Sequence, residues 1–180
     1  MEYNGAKSSL RRVVCGVPQG SILGPLMFLL HINDLPNVSG SMENIMYADD
    51  TSFFLSGGAE RDLSVAANVE LDKVSKWMKV NKLSVNTNKT LAIRFTNRRV
   101  GLDELNIVMN GQPITLTDRA SLLGVILDHK LKWHYQIDKV VSKVSKCIGV
   151  VFKVKHLVTR SIIMNLYYSL FYPHVCYGNI

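Results

Sequence analysis

Between Ile45 and Leu55 the chain reads Ile-Met-Tyr-Ala-Asp-Asp-Thr-Ser-Phe-Phe-Leu, an apolar run with two adjacent acids, Asp49 and Asp50, at its centre. Arms this short and this rich in β-forming residues predict strands over 44–48 and 51–56, folded back on each other as a buried hairpin with the acids at the bend. Burial raises a carboxylate's pKa or demands a partner. Two such groups side by side in an apolar setting therefore predict a compensating cation. Hard oxygen donors select Mg²⁺, which also keeps room for phosphates. Taken alone, an Asp-Asp pair more often occupies a polar turn, so the flanking sequence has to decide.

Upstream stands Gly16-Val17-Pro18-Gln19-Gly20-Ser21-Ile22-Leu23-Gly24-Pro25-Leu26-Met27-Phe28. Its glycines interrupt regular structure and leave backbone amides accessible. Ser21 is placed to cap a helix that starts at Ile22 or Pro25 and runs to Leu35, where Pro36 ends it. Residues 5–14 read as a polar hairpin arm leading to a strand end at Val13-Val14-Cys15. Downstream, Leu63, Ala66, Ala67, Leu71, Val74, Trp77 and Met78 recur at steps of three and four, which predicts an amphipathic helix over 61–80 covering a sheet, with Asn81 as its stop. Strands are expected at 83–85 and 91–95, the second with Leu91, Ile93 and Phe95 inward and Ala92 and Arg94 outward, and Lys89 lies in the polar loop between them. Asn110-Gly111 marks a hairpin between 105–109 and 112–116. Residues 122–127 predict one more strand.

At 180 residues and 47% hydrophobic content the chain is long enough for a core and too apolar for disorder. Its longest apolar stretch, near Ile22 to Leu30, carries Gly24 and Pro25 and falls short of the roughly 20 residues of a membrane span. No membrane partner is expected, and the lack of a secretory pattern at the start predicts an intracellular protein. Cys15, Cys147 and Cys176 are odd in number and widely separated, which suits buried free thiols. The five histidines show no metal spacing. The net charge of +7 lies wholly between His129 and Arg160, where eight basic residues face Asp138 alone. There Ile137, Val140, Val141, Val144, Ile148, Val151 and Phe152 form an apolar helical stripe, and Lys139, Lys143, Lys146 and Lys153 a basic one. A polyanion would meet this segment first, although lysines opposite an apolar stripe are also an ordinary wet surface. Trp133 and Tyr135 offer rings for stacking, whereas Trp77 falls on its helix's apolar stripe and reads as core. Thr159 can cap a last helix through Phe171, stopped by Pro173.

In order and spacing, the string from Gly16 to Phe28, the turn from Tyr47 to Asp50, and the stretch from Trp77 to Thr90 resemble the palm domain of reverse transcriptases, most closely those of animal non-LTR retrotransposons. The resemblance implies an α+β fold: a palm-type antiparallel sheet packed on helices over residues 1–128, then a truncated helical, thumb-like segment over 129–180. Leu123-Gly124-Val125-Ile126-Leu127-Asp128, followed by Leu131, Trp133 and Ile137, is similar to the passage from palm to thumb. By the same resemblance Asp49 and Asp50 are metal ligands. Gln19, Gly20 and Ser21 lie against nucleotide and template, Tyr47 and Ala48 near the primer end, and Lys89 beside departing pyrophosphate. Tyr47 otherwise reads as core and Lys89 as a solvated loop lysine. Lys139, Lys143, Lys146 and Lys153 would follow a nucleic-acid backbone. The implied partners are an RNA template, a DNA primer and a dNTP, with two Mg²⁺ ions and Mn²⁺ as a substitute. Relatives carry another bridging aspartate on an earlier strand, whereas Glu2 is the only acid here before Asp34. The expectation is therefore a fragment of a polymerase that is inactive alone. The alternatives are a non-catalytic nucleic-acid-binding remnant using the lysine face, and an unrelated metal-dependent phosphatase or nuclease using the acidic pair.

Overall fold

A computed structural model describes residues 2–3, 5–7, 9, 16–17, 20–96 and 105–178. Cys15, Gln19 and the strand end expected at 13–15 lie outside the described residues. The chain divides into two compact units, Met1–Thr87 with Leu105–Pro113, and Asn88–Glu104 with Ile114–Ile180.

In the first unit, β1 (Glu2–Tyr3) and β2 (Ala6–Lys7) pair antiparallel. Helix α1 spans Gly24–Ile32 with Pro25 in its first turn, as expected, but its N-cap is Leu23 and Ser21 makes no cap bond. It also ends before Leu35. A 3₁₀ turn, Leu35–Val38, follows, and Pro36 sits in its first turn. A proline's fixed φ and missing N–H suit a helix start, so Pro36 opens this turn instead of closing α1. Strands β3 (Glu43–Tyr47) and β4 (Asp50–Phe54) form the expected hairpin.

Helix α2 (Glu60–Val80) follows the predicted period. Ala67, Leu71 and Val74 are buried, and with Ile32, Leu35, Met42 and Met109 they make the core of this unit. Asn81 caps the helix and Lys82 follows with φ +57. The Leu83 amide bonds the Met78 carbonyl at 2.8 Å and the Lys82 amide that of Lys79 at 3.1 Å, a Schellman closure with lysine in glycine's usual place. Polar residues of α2 that sequence periodicity does not reveal hold its neighbours. The Asn68 side chain donates to the Asn106 carbonyl at 2.9 Å and accepts from the Val108 amide at 2.8 Å, standing in for a strand partner beside β6 (Val108–Met109). Strand β6 turns through Asn110-Gly111, both at positive φ, into β7 (Gln112–Pro113), confirming the hairpin in shorter form.

In the second unit, β5 (Leu91–Ile93) pairs in parallel with β8 (Thr115–Thr117), and residues 83–85 form no strand. The facing expected over 91–95 does not hold: Arg94 is buried and Leu91 and Phe95 are nearly half exposed, while Ala92 and Ile93 are alike half-buried. Alternation tells which residues share a face; which face is covered is a tertiary matter. The strand expected at 122–127 is two strands, β9 (Arg119–Leu122) and β10 (Val125–Asp128), because Leu123 and Gly124 both take positive φ and reverse the chain.

Three helices complete this unit, α3 (His134–Val154), α4 (Arg160–Leu166) and α5 (Tyr172–Cys176), with a π-helical turn, Tyr167–Phe171, before α5. Thr159 occupies the N-cap of α4 without a side-chain cap bond, and Pro173 lies in the first turn of α5 instead of ending a helix. The packed line of α3 is Val140, Val144, Cys147, Val151 and Val154, all half-buried, whereas Ile137, Val141, Ile148 and Phe152 of the expected stripe are exposed. Cys147 is half-buried and Cys176 exposed, both free, so neither is the fully buried thiol expected. The α+β composition is as expected. The ladders among the described residues are two-stranded pairs, four antiparallel and one parallel, where a single antiparallel sheet was expected. No described helix is long and apolar enough to cross a membrane.

Candidate functional site

The acidic turn is the tip of the β3–β4 hairpin. Tyr47 pairs with Asp50, so Ala48 and Asp49 are the two turn residues. Ala48 has φ +52. A left-handed conformation at a non-glycine residue is strained by about 1–2 kcal/mol, and such residues cluster at functional turns. Directly opposed residues of an antiparallel pair share a face. Tyr47 with Asp50, Ile45 with Ser52, and Glu43 with Phe54 therefore line one side, and Asn44 with Phe53 and Met46 with Thr51 the other. The second side is half-buried, and the Asn44 amide reaches the Pro36 carbonyl at 3.5 Å. The first is open: Tyr47 is 67% and Ile45 55% exposed.

This overturns the desolvation argument. The hairpin is present, but it is not buried, and Asp49 and Asp50 are both exposed to solvent. Water reaches both carboxylates because one face of the hairpin is left uncovered by the described residues, so burial does not demand a cation here. Tyr47, too, is a surface residue and not core. In kind the donors suit a hard divalent ion. In number they do not complete a site, since no group of three His, Cys, Asp or Glu side chains converges among the described residues.

What anchors this hairpin is a buried carboxylate absent from the sequence reading. Glu70 of α2 is 5% exposed. It accepts from the Lys73 amine at 2.8 Å and the Ser41 hydroxyl at 3.0 Å. The Lys73 bond, with the hydroxyls of Ser39 and Ser41 nearby, outweighs burial and holds its carboxyl below the usual range. Ser39, itself buried, accepts from the Met42 amide at 2.9 Å. The stretch from Ser39 to Met42 leads directly into β3, so Glu70 fixes the root of the strand whose other end carries the acids. The remaining polar links bind α2 to the α1 region. The Trp77 indole donates to Asp34 at 3.2 Å, and His31 Nε2 lies 3.3 Å from the Asn81 carbonyl. Trp77, expected as core, is only half-buried, with a polar edge.

Of the loop residues, Gly20 is exposed with φ +85 and Ser21 is half-buried. Gln19 lies outside the described residues.

Lys89 and the lysine face belong to the second unit. Lys89 is exposed in the turn before β5. Along α3, Lys143, Lys146 and Lys153 are exposed, whereas Lys139 is half-buried and donates to the Gly124 carbonyl at 2.6 Å. Lys155 lies over the Phe152 ring, 3.8 Å from its centre. At the start of the helix Asp128, 6% exposed, gathers backbone amides: Lys130 at 2.9 Å on one oxygen, Lys132 at 2.9 Å and Trp133 at 3.1 Å on the other. Burial pushes this carboxyl up, but the three amide bonds together outweigh it and the net shift is downward. They hold Leu131 at φ +51 and Trp133 at φ +63, and present Trp133 and Tyr135 partly exposed, with the Arg119 guanidinium 4.4 Å from the centre of the Tyr135 ring.

Residues 1–136 match the family described as Reverse transcriptase (RNA-dependent DNA polymerase). The chain belongs to that family. It is 31% identical to the RNA-directed DNA polymerase from mobile element jockey of Drosophila funebris over 74% of this chain and 15% of that protein. The jockey polymerase of Drosophila melanogaster is 25% identical over 99% of this chain and 20% of its own length. The probable RNA-directed DNA polymerase from transposon X-element of the same species is 28% identical over 73% of this chain and 15% of that protein. The relatives are thus polymerases of non-LTR retrotransposons, as the motifs indicated, and the chain spans about a fifth or less of the length of these three. No solved structure matches.

Proposed function

We propose that the chain is the part of a non-LTR retrotransposon polymerase that carries the acidic turn, and that its parent makes DNA on an RNA template by two-metal nucleotidyl transfer. The observation that carries this reading is the family match over residues 1–136, together with two exposed carboxylates at a hairpin tip whose root is fixed by Glu70. In this reading Asp49 and Asp50 hold a divalent ion, Mg²⁺ or Mn²⁺, jointly with a further carboxylate from an earlier palm strand. Tyr47, beside Asp50 on the open face, and Ala48 meet the primer end. Gln19, Gly20 and Ser21 meet template and nucleotide, and Lys89 neutralises departing pyrophosphate. The palm extends over residues 1–128 and the thumb-like part from 129.

With two carboxylates brought together among the described residues where a cluster is required, this reading makes the 180-residue polypeptide inactive by itself. Primer extension on an RNA template tests this, comparing the chain with a longer polypeptide that supplies further palm sequence. Incorporation by the short chain would overturn the claim of incompleteness. Incorporation only by the longer one supports the reading, and its loss in Asp49→Asn supports the assigned role.

A second reading rests on the segregation of the net charge: a nucleic-acid-binding remnant that does no chemistry. Exposed Lys143, Lys146 and Lys153 follow one face of α3, and they suit a phosphate backbone without reading its sequence. Binding without any extension by the longer polypeptide would favour it.

A further inference from the structure

We infer that Lys139 and Tyr177 are positioning residues that lock the tip of the β9–β10 hairpin onto the helical part of its unit, so that the phosphate-facing lysine row of α3 begins at Lys143. A hairpin of two four-residue strands is marginal in water by itself. Its turn adds strain, because Leu123 at φ +47 occupies a position that favours Asn, Asp or Gly. Something beyond the ladder must hold it.

The structure supplies that at both turn carbonyls. Leu123 accepts from the Tyr177 hydroxyl, and Gly124 accepts from the Lys139 amine at 2.6 Å. One helical turn before Lys139, and so on the same face of α3, Gln136 accepts from the Ile126 amide at 2.9 Å. Asp128 closes the far end of the hairpin through its three amide bonds. Packing agrees with the hydrogen bonds. A Cβ on Gly178, which has φ +71, would lie 2.9 Å from Val125 Cγ2, closer than side chains tolerate, and one on Gly124 would lie 3.6 Å from the Tyr177 ring. Glycine at 178 is therefore what lets Tyr177 reach the turn.

A lysine held this way has its charge engaged by a backbone carbonyl, although it stands in the same stripe as Lys143, Lys146 and Lys153. The latch stands on this geometry alone. Only its consequence for the lysine row rests on the nucleic-acid reading.

Two measurements separate these. Amide hydrogen exchange of Leu122, Val125 and Ile126 in the 180-residue chain should accelerate about tenfold in Lys139→Met and in Tyr177→Phe. Lys139→Arg, which keeps a charged donor, should restore it, and Lys143→Glu with Lys146→Glu should leave it unchanged. Binding of a fluorescent single-stranded RNA across a salt series should keep its slope in Lys139→Met, whereas loss of a phosphate contact lowers the slope by about 0.7. Unchanged exchange in both Lys139→Met and Tyr177→Phe overturns the latch. A lowered slope with unchanged exchange makes Lys139 a phosphate ligand instead. If the unaltered chain binds no RNA, the nucleic-acid reading falls while exchange still decides the latch. Should Lys139→Met fail to fold, Tyr177→Phe, which removes one oxygen atom, decides it alone.

Discussion

Ala48 and Asp128 show how single residues set local geometry at some cost. Ala48 holds a left-handed φ beside Asp49. Replacing it by glycine relieves about 1–2 kcal/mol of strain but adds about 0.4–1 kcal/mol of unfolded-state entropy. Ala48→Gly should therefore be neutral or stabilising by up to about 1.6 kcal/mol in urea denaturation, and a clear loss would mean that the alanine methyl packs in the turn. Asp128 acts through charge. Its folded pKa lies below the ordinary 3.8, so its contribution to stability is complete above 3.8 and disappears as pH falls through the lowered folded value. Asp128→Asn should be less stable than the parent chain at neutral pH, since an amide nitrogen would face the Lys132 or Trp133 donors, and the gap should close under strong acid. Helical circular dichroism followed against temperature at several pH values checks this; a gap independent of pH would remove the carboxylate from the account.

Among the elements, α2 was the most legible from sequence because twenty-one residues average out local exceptions and its apolar period is strong. Val74 falls at zero exposure where the period puts it. The same rule misplaced the packed line of α3, since Ile137, Val141, Ile148 and Phe152 are as apolar as the residues that do pack. Periodicity gives a stripe's width but not which edge finds a partner. Short strands were legible where turn chemistry was explicit, as at Asn110-Gly111, and missed where Leu123 occupies a turn position by tertiary constraint. Leu35, on the 3₁₀ turn against α2, is 2% exposed. Leu35→Ala should cost about 2–5 kcal/mol in chemical denaturation, and a cost under about 1 kcal/mol would place the centre of that core elsewhere. On α3, Lys143→Glu with Lys146→Glu should weaken RNA binding and flatten its salt dependence; an unaltered slope would leave that face merely solvated.

For the whole molecule the ratio of covered to open apolar surface matters most. Eight apolar side chains are buried among the described residues, and none belongs to α3, α4 or α5, while Leu30, Val80, Phe152 and Leu157 are each more than 60% exposed. Exposed apolar area on that scale promotes association. A net charge of +7 opposes it at low salt. Raising ionic strength from about 0.01 M to 1 M shortens the screening length from about 30 Å to about 3 Å, so light scattering from the isolated chain should rise with salt, together with binding of an apolar dye. A chain that stays monodisperse across that range would show that the exposed residues do not form adhesive patches.

The acidic turn, its flanking strands, the Asn110-Gly111 reversal, the period of α2 and the segregation of positive charge were all readable from the order of residues, because each depends on neighbours within a few positions. Tertiary structure alone decided that the acidic hairpin is open to water, that Arg94 turns inward, that Glu70 roots β3, and that Lys139 reaches Gly124 instead of solvent. Each of those depends on which surface is covered by a segment distant in sequence, and burial and hydrogen-bond partnership are properties of that covering and not of the residue itself.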